Sequence, residues 1–544
     1  MFGLMQDHPL LISSLITHAA AQHPRREVVS RLGDSSIHRT TYAEVEARAR
    51  ALAAKLESIG IARGDRVATL AWNGYRHLEC FYGVSGMGAV LHTVNPRLFR
   101  EQIAYIMSHA SDRVLLFDAD LLPIVESVAA EVPSIEHYVV LCDEAELPAS
   151  STLKLIAYES WIAGHGGNYQ WPSFDERLAS SLCYTSGTTG NPKGVLYSHR
   201  STLLHAMACV QADTFALSCK DVVLPFAPMF HANSWAMPYC CPMVGATMAL
   251  PGRHMDAKSL HELLVQEKVT FTVGVPTIWT LLLSYMQETG TTLTDLTRCV
   301  VAGTALPHAI QATLMEKFGV TAIHAWGMTE ISPIGTVCTA TPEINALSKE
   351  QREEQLIKQG RTPYGVQIQV RTAQGGVAPQ DGKAFGPLMV KGPWVASGYF
   401  KGEGGEVLDA AGWFPTGDVA TWDEYGCMKI TDRTKDVIKS GGEWISSIDV
   451  ENAVMSHPKV KLAATVAAYH PKWDERPVLV VVPTDSATPA KQEILDYLST
   501  RMAKWWLPDD IVFVKEMPMT ATGKILKARL REQYWHHLHP APAA

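Results

Sequence analysis

Residues Tyr184 to Gly194, YTSGTTGNPKG, place four small hydroxyl side chains (Thr185, Ser186, Thr188, Thr189), three glycines and Lys193 within eleven positions. Glycine lets a backbone approach an anion closely, and hydroxyls donate to phosphate oxygens, so this composition is that of a phosphate-holding loop. It is not a Walker loop. That motif needs lysine directly after its second glycine and a Ser or Thr next, whereas Asn191-Pro192 separates Gly190 from Lys193 here. A second segment, Val222 to Gly252, carries no Asp, Glu, Lys or Arg but holds five prolines, with His231 and Asn233 among them. It is long enough to span a bilayer. The prolines free backbone groups that lipid could not satisfy, so it reads as buried strand, loop and helix lining an apolar cavity.

Alternating helix and strand signals flank these segments. YAEVEARARALAAKLESIG (Tyr42–Gly60) spaces its apolar residues as a helix does and stops at glycine, and RVATLAWN follows as a short apolar run. EQIAYIMSHASD then RVLLFDAD, and SLHELLVQEKVT then FTVGVP, repeat the pattern, which predicts parallel sheets with crossover helices. SLCY before the phosphate loop reads as strand, and GVLYSHRSTLLHAM after it as strand then helix. Beyond about residue 365 short runs with glycine turns predict a small β-rich unit. After KDVIKSGGEW, the runs LAATVAAYH, PVLVVVPT, KQEILDYLSTRMAKWW and IVFVKEMP predict a compact α+β unit, closed by the loop MTATGKILK and a basic helix.

At 544 residues the chain exceeds what one hydrophobic core sustains, so at least two domains are expected. A net charge of −8 argues against general nucleic-acid binding. Ten scattered cysteines without C-x-x-C fit neither a disulfide framework nor a zinc site, which points to a reducing, cytoplasmic compartment. The N-terminus lacks a basic n-region and reads as an amphipathic helix rather than a signal peptide.

YTSGTTGNPKGVLYSH resembles the signature of the adenylate-forming superfamily of acyl-CoA synthetases, adenylation domains and luciferases. PMFHANSW (Pro228–Trp235), VAGTALP (Val301–Pro307), HAWGMTE (His324–Glu330), WFPTGD (Trp413–Asp418), DRTKDVIKSGGEWIS (Asp432–Ser446) and TATGKILK (Thr520–Lys527) resemble its further motifs in the same order. The likeness covers essentially the whole chain and is greatest to medium- and long-chain fatty acyl-CoA synthetases. It implies an α/β fold: a large N-terminal domain, residues 1–431, made of two parallel-type α/β subdomains and a small β-rich unit; a hinge, 432–437; and a small mobile α+β C-terminal domain, 438–544.

The resemblance also implies the chemistry. A carboxylate attacks the α-phosphate of ATP to give acyl-adenylate and pyrophosphate, and the thiol of coenzyme A then displaces AMP. Glu330 is expected to hold Mg²⁺, with Thr185 near the metal. Thr185, Ser186, Gly187, Thr188, Thr189, Gly190, Lys193 and Thr329 would contact phosphate. Gly303, His324, Ala325 and Trp326 would lie on the adenine side, Trp326 replacing a commoner tyrosine. Asp418 would bind ribose with Arg433, and Lys439 and Trp444 would lie near nucleotide. His231, Asn233, Trp235 and Gly303 would shape the acyl site, Lys435 would be the hinge, and Gly441 and Gly442 would leave room for pantetheine. Lys524 would meet the carboxylate and α-phosphate as a point charge. A short thioether acid such as 3-methylmercaptopropionate, an aryl-propenoic acid, or delivery to a carrier protein remain alternatives for the acyl group. No nucleic-acid partner and no transmembrane segment are expected; peripheral membrane contact and a homodimer stay open.

Overall fold

The computed structural model describes the chain except for Phe2, residues 186–190, Ala373, Gly442, residues 485–487, 520–524 and 540–544, and the side chain of Glu443. It divides into two compact units. Met1–Thr185, Pro192–Gln367 and Lys391–Phe414 form the larger; Ile368–Val390 and Pro415–Ala544 account for most of the smaller.

The larger unit is built on two sheets. In one, strands Val90–Thr93, Arg66–Leu70, Val114–Phe117, His137–Val140 and Leu155–Ala157 run parallel, and Ala179–Tyr184 joins Val90–Thr93 in the same sense. The strand Gly194–Ser198 closes its edge antiparallel to Ala179–Tyr184. In the other, Glu27–Arg31, Thr247–Leu250, Val222–Pro225, Phe271–Gly274, Arg298–Val301 and Thr321–Gly327 are parallel, with antiparallel strands at both edges. Parallel strands need crossover helices, and the expected ones are present: Tyr42–Ser58, Arg100–Ala110 and Ala257–Gln266. The first starts where Thr41 accepts from the Glu44 amide and Glu44 returns a bond to the Thr41 amide, a reciprocal cap. Leu260, Leu263, Leu264, Trp279 and Leu282 pack on the second sheet, and Ile103, Ile106, Met107 and Val125 on the first.

The charge-free segment folds as strand Val222–Pro225, a turn, helix Met237–Val244 and strand Thr247–Leu250, almost wholly buried. Among the described residues no helix is long and apolar enough to cross a membrane. The N-terminal helix Ser13–Gln22 buries Leu15, Ile16 and Ala19.

In the smaller unit, strands Phe414–Trp422 and Met428–Arg433 pair antiparallel within a four-stranded sheet. The C-terminal segment pairs Val460–His470 antiparallel with Asp474–Pro483, which takes Asp510–Phe513 as a parallel neighbour. Helices Ser447–Met455 and Lys491–Ser499 contribute Val450, Val454, Ile494 and Leu498 to its core. This is the α+β arrangement expected from the sequence.

Candidate functional site

In open α/β sheets, ligands gather at the carboxyl ends of the strands. In the larger unit, that edge carries Ala227, Gly303 and the turn after Thr321–Gly327. Ala227 N donates to Val273 O (2.9 Å) and Ala302 N to Gly274 O (3.0 Å), extending the ladder to the rim. Gly303 lies there exposed, at φ +89°, a left-handed backbone that glycine adopts without strain. The rim of the second sheet is tied to the first by Asn73. Its amide donates to Pro225 O (3.2 Å) and Ala227 O (3.0 Å), and its Oδ1 accepts from Met229 N (2.7 Å).

Around this rim three of the sequence motifs meet. Asn233 donates to Ser181 Oγ (3.1 Å), on the strand leading into the phosphate loop. Trp235 reaches Gly327, where a Cβ would lie 3.0 Å from the indole. Tyr197, on the strand leaving the phosphate loop, donates to Thr329 O (2.6 Å). The strands flanking the loop, the HANSW segment and the HAWGMTE motif are therefore neighbours although more than a hundred residues separate the first from the last.

The turn Thr329–Ile331 is held from several directions. Ala396 N donates to Glu330 O (2.7 Å), Ser332 Oγ to Trp394 O (3.0 Å), and Trp394 Nε1 to Ile334 O (3.1 Å). His205 Nε2 accepts from Ile334 N (3.1 Å), and its ring meets Trp394 edge-on. The Glu330 side chain is 8% exposed. Among the described residues it has no cationic partner; its Oε1 accepts from the Tyr399 hydroxyl (2.7 Å). A buried carboxylate without a countercharge is costly, and a hard divalent cation shared with phosphate oxygens satisfies it. Among the described residues there is no group of three His, Cys, Asp or Glu side chains that could hold a metal ion.

At the mouth of the phosphate loop Thr185 and Lys193 face each other. Thr185 N donates to Lys193 O (2.9 Å), and Lys193 N donates to Thr185 Oγ1 (3.1 Å). The Lys193 ammonium lies 4.9 Å from the centroid of the Tyr399 ring. Ser186, Gly187, Thr188, Thr189 and Gly190 lie outside the described residues, as do Gly442 and Lys524.

His324 is buried and its Nδ1 donates to Ile357 O (2.6 Å), which fixes the tautomer. Burial lowers its pKa, offset partly by backbone bonds, so the ring is neutral. Ala325 is buried beside it. One face of Trp326 packs on the adjacent strand, where a Cβ at Gly335 would come within 2.3 Å of the ring.

The HANSW segment has an unusual backbone. Ala232, Asn233, Ser234, Trp235 and Ala236 all have left-handed φ, from 43° to 64°. Each such non-glycine residue costs about 1–2 kcal/mol, so the surroundings must hold the turn. They do so with Cys183 Sγ to Asn233 Oδ1 (3.5 Å), Ser234 Oγ to Ala227 O (2.6 Å), and the packing of Trp235 on Gly327. His231 stands half-buried at the start of this turn.

In the smaller unit Asp418 is 3% exposed, and its Oδ1 pairs with Arg433 Nε at 2.9 Å across the strand register. Gly417, at φ +76°, shapes the approach. Lys435 sits in a turn between two tethered aspartates. Asp432 accepts from Ser447 N (2.6 Å) and Oγ (2.9 Å), and Asp436 pairs with Arg531. Lys527 donates to Ser447 Oγ (2.7 Å) and pairs with Glu451 (2.6 Å), so helix Lys527–Tyr534 reaches both sides of the turn. Lys439 N donates to Glu475 Oε2 (2.7 Å), and Trp444 meets Phe385. At Gly441 the space of a Cβ is taken by Trp473, 2.8 Å away.

Sequence reading missed Tyr197, Tyr399 and Trp394. Their partners lie 132, 69 and 60 residues away in the chain, and GYF reads locally as a turn.

Comparison with known proteins agrees with this geometry. Residues 16–400 match the AMP-binding enzyme family and 449–524 the AMP-binding enzyme C-terminal domain. The chain is 47% identical to the 3-methylmercaptopropionyl-CoA ligase of Ruegeria pomeroyi over 98% of its length and 99% of the relative's. It is 47% identical to the medium-chain-fatty-acid–CoA ligase of Ectopseudomonas oleovorans, covering 98% of both chains. With the long-chain-fatty-acid–CoA ligase of Thermus thermophilus identity is 48%, over 97% and 96% of the two chains. An anthranilate CoA ligase crystallised with anthranoyl-AMP shares the fold, with a TM-score of 0.83 at 24% identity over 96% and 97% of the chains.

Proposed function

The chain belongs to the AMP-binding enzyme family and is an AMP-forming acyl-CoA synthetase, and from that premise we propose that its acid is a medium- to long-chain fatty acid. The observation that carries this reading is the charge-free acyl segment. Phe226, Met229, Phe230, Trp235 and Met237 are buried there, and the segment carries no Asp, Glu, Lys or Arg to pair with a second substrate charge. Each methylene buried on such a wall is worth about 0.8 kcal/mol, so chain length is selected by depth. A short thioether acid is the second reading. It is favoured by the relative from Ruegeria, which is as similar as the fatty-acid ligases.

In the proposed mechanism the carboxylate of the acid lies near His231 and Asn233. Lys193, the hydroxyls of the phosphate loop and Thr329 neutralise the polyphosphate, so that one anion can approach another. Glu330, with Thr185 nearby, would hold Mg²⁺, which when bound draws charge from the phosphate oxygens. Trp326, with Gly303, His324 and Ala325 around it, would receive adenine, and Asp418 with Arg433 the ribose. Residues 1–431 would bind ATP and acid. Rotation about Lys435 in the hinge 432–437 would exchange Lys524 for the face of 438–544 carrying Lys439, Gly441, Gly442 and Trp444, where CoA enters. Cytoplasmic location fits ten cysteines that form no disulfide among the described residues.

A panel of acids from propionate to palmitate, with 3-methylmercaptopropionate and cinnamate, scored by CoA-dependent AMP release, tests the choice. A kcat/KM maximum between about eight and sixteen carbons, rising by about fourfold per methylene below it, is expected. A maximum at the thioether acid would replace the first reading by the second.

A further inference from the structure

Glu330 and Lys193 are opposite charges at one site, yet among the described residues they do not pair with each other. Tyr399 stands between them. Its hydroxyl donates to Glu330 Oε1 (2.7 Å), while its ring face receives the Lys193 ammonium at 4.9 Å from the centroid. The tyrosine is itself fixed: its ring meets Phe414 edge-on and packs on the cluster of Cys183, Val195 and Tyr197. Gly404 presses on Lys193 from the same segment, where a Cβ would lie 2.9 Å from Nζ.

Resting on the proposed metal role of Glu330, we propose that Tyr399 is a positioning residue that keeps Glu330 and Lys193 apart and sets the cation preference of the site. With Oε1 engaged by the phenol, and no described residue donating to Oε2, Glu330 offers a cation one oxygen rather than two. Mg²⁺ takes single carboxylate oxygens in a strict octahedron, whereas Ca²⁺ readily accepts both oxygens of a carboxylate in a larger shell. One-oxygen presentation therefore favours the smaller ion. Lodging Lys193 on the ring face keeps an ammonium free of its neighbouring carboxylate and available to phosphate.

Equilibrium binding of ATP to the full-length protein, measured by calorimetry without acid or CoA while Mg²⁺ or Ca²⁺ is titrated, tests this. Tyr399→Phe keeps the ring and loses the hydroxyl. It should lower the preference for Mg²⁺ over Ca²⁺ by about fivefold or more, with ATP affinity at saturating Mg²⁺ within about twofold of the parent. Tyr399→Leu should show the same change in preference and also weaken metal-free ATP binding several-fold, because Lys193 is released onto Glu330. Glu330→Gln separates the two levels of the argument. If it leaves the Mg²⁺ dependence unchanged, the metal role of Glu330 is wrong. If it removes that dependence while Tyr399→Phe keeps the parent's Mg²⁺ to Ca²⁺ ratio, the Tyr399 inference alone is overturned.

Discussion

Two turns at the same rim are held in opposite ways. The Thr329–Ile331 turn is fixed by directed polar bonds: Tyr197 to the Thr329 carbonyl, Ala396 to the Glu330 carbonyl and Tyr399 to the Glu330 carboxylate. The Ala232–Ala236 turn keeps a left-handed backbone through five residues, within apolar surroundings and with few bonds. The first holds a carboxylate in place by directed bonds, which under the proposed function serves a step common to every acid. The second depends on packing for its geometry, which under the same proposal selects the acid that fits. Changes at the first turn should thus cut turnover equally for all acids, and changes at the second should redistribute activity among them.

The largest expected effect is at the polar turn. Glu330→Gln should lower acid-dependent ATP–pyrophosphate exchange by about 10²–10³-fold, with the same factor for every acid in a chain-length series. A loss that varied with chain length would break the comparison. At the apolar turn, Trp235→Ala should shift the chain-length optimum and change kcat/KM by about tenfold at most, with opposite signs at the two ends of the series. A uniform loss there would mean that Trp235 serves the common step. Asn233→Val puts a β-branched residue at φ 51° and removes the bonds to Ser181 and Cys183. It should cost about 1–2 kcal/mol and lower the melting temperature by a few degrees, while Asn233→Gly costs less because the backbone conformation is free.

The smallest effect concerns acid. Burial lowers the His205 pKa to about 3, and the neutral ring accepts from Ile334 N beside the Glu330 turn. An unfolded imidazole titrates near 6.5, so the unfolded state binds a proton that the folded state does not between about pH 6.5 and 3. Stability therefore falls as pH drops through that window. His205→Gln should reduce proton uptake on unfolding by about one, read from the slope of melting temperature against pH. An unchanged slope would remove His205 from the account.

The contrast between the turns also explains what was legible in the sequence. The helix–strand alternation announced the parallel sheets, because it is a local pattern, whereas most of the loop expected to hold phosphate lies outside the described residues. Glu330 was legible through its motif. The tyrosines that hold it were not, since Tyr197 and Tyr399 act across 132 and 69 residues and each looks locally like a strand or turn aromatic. HANSW showed an apolar setting and an asparagine tolerant of left-handed φ, but nothing in it announced five such residues in a row. That turn is held by contacts from elsewhere in the chain, Trp235 packing on Gly327 and Asn233 bonding to Ser181 on the strand Ala179–Tyr184.

An AMP-forming acyl-CoA synthetase joins a carboxylate to AMP before CoA takes the acyl group. The most direct measurement is exchange of labelled pyrophosphate into ATP by the full-length protein without CoA, with and without dodecanoate, followed by product analysis once CoA is added. The account predicts exchange only when the acid is present, then AMP and acyl-CoA in equal amounts. Exchange without acid, or ADP as the nucleotide product, would contradict it.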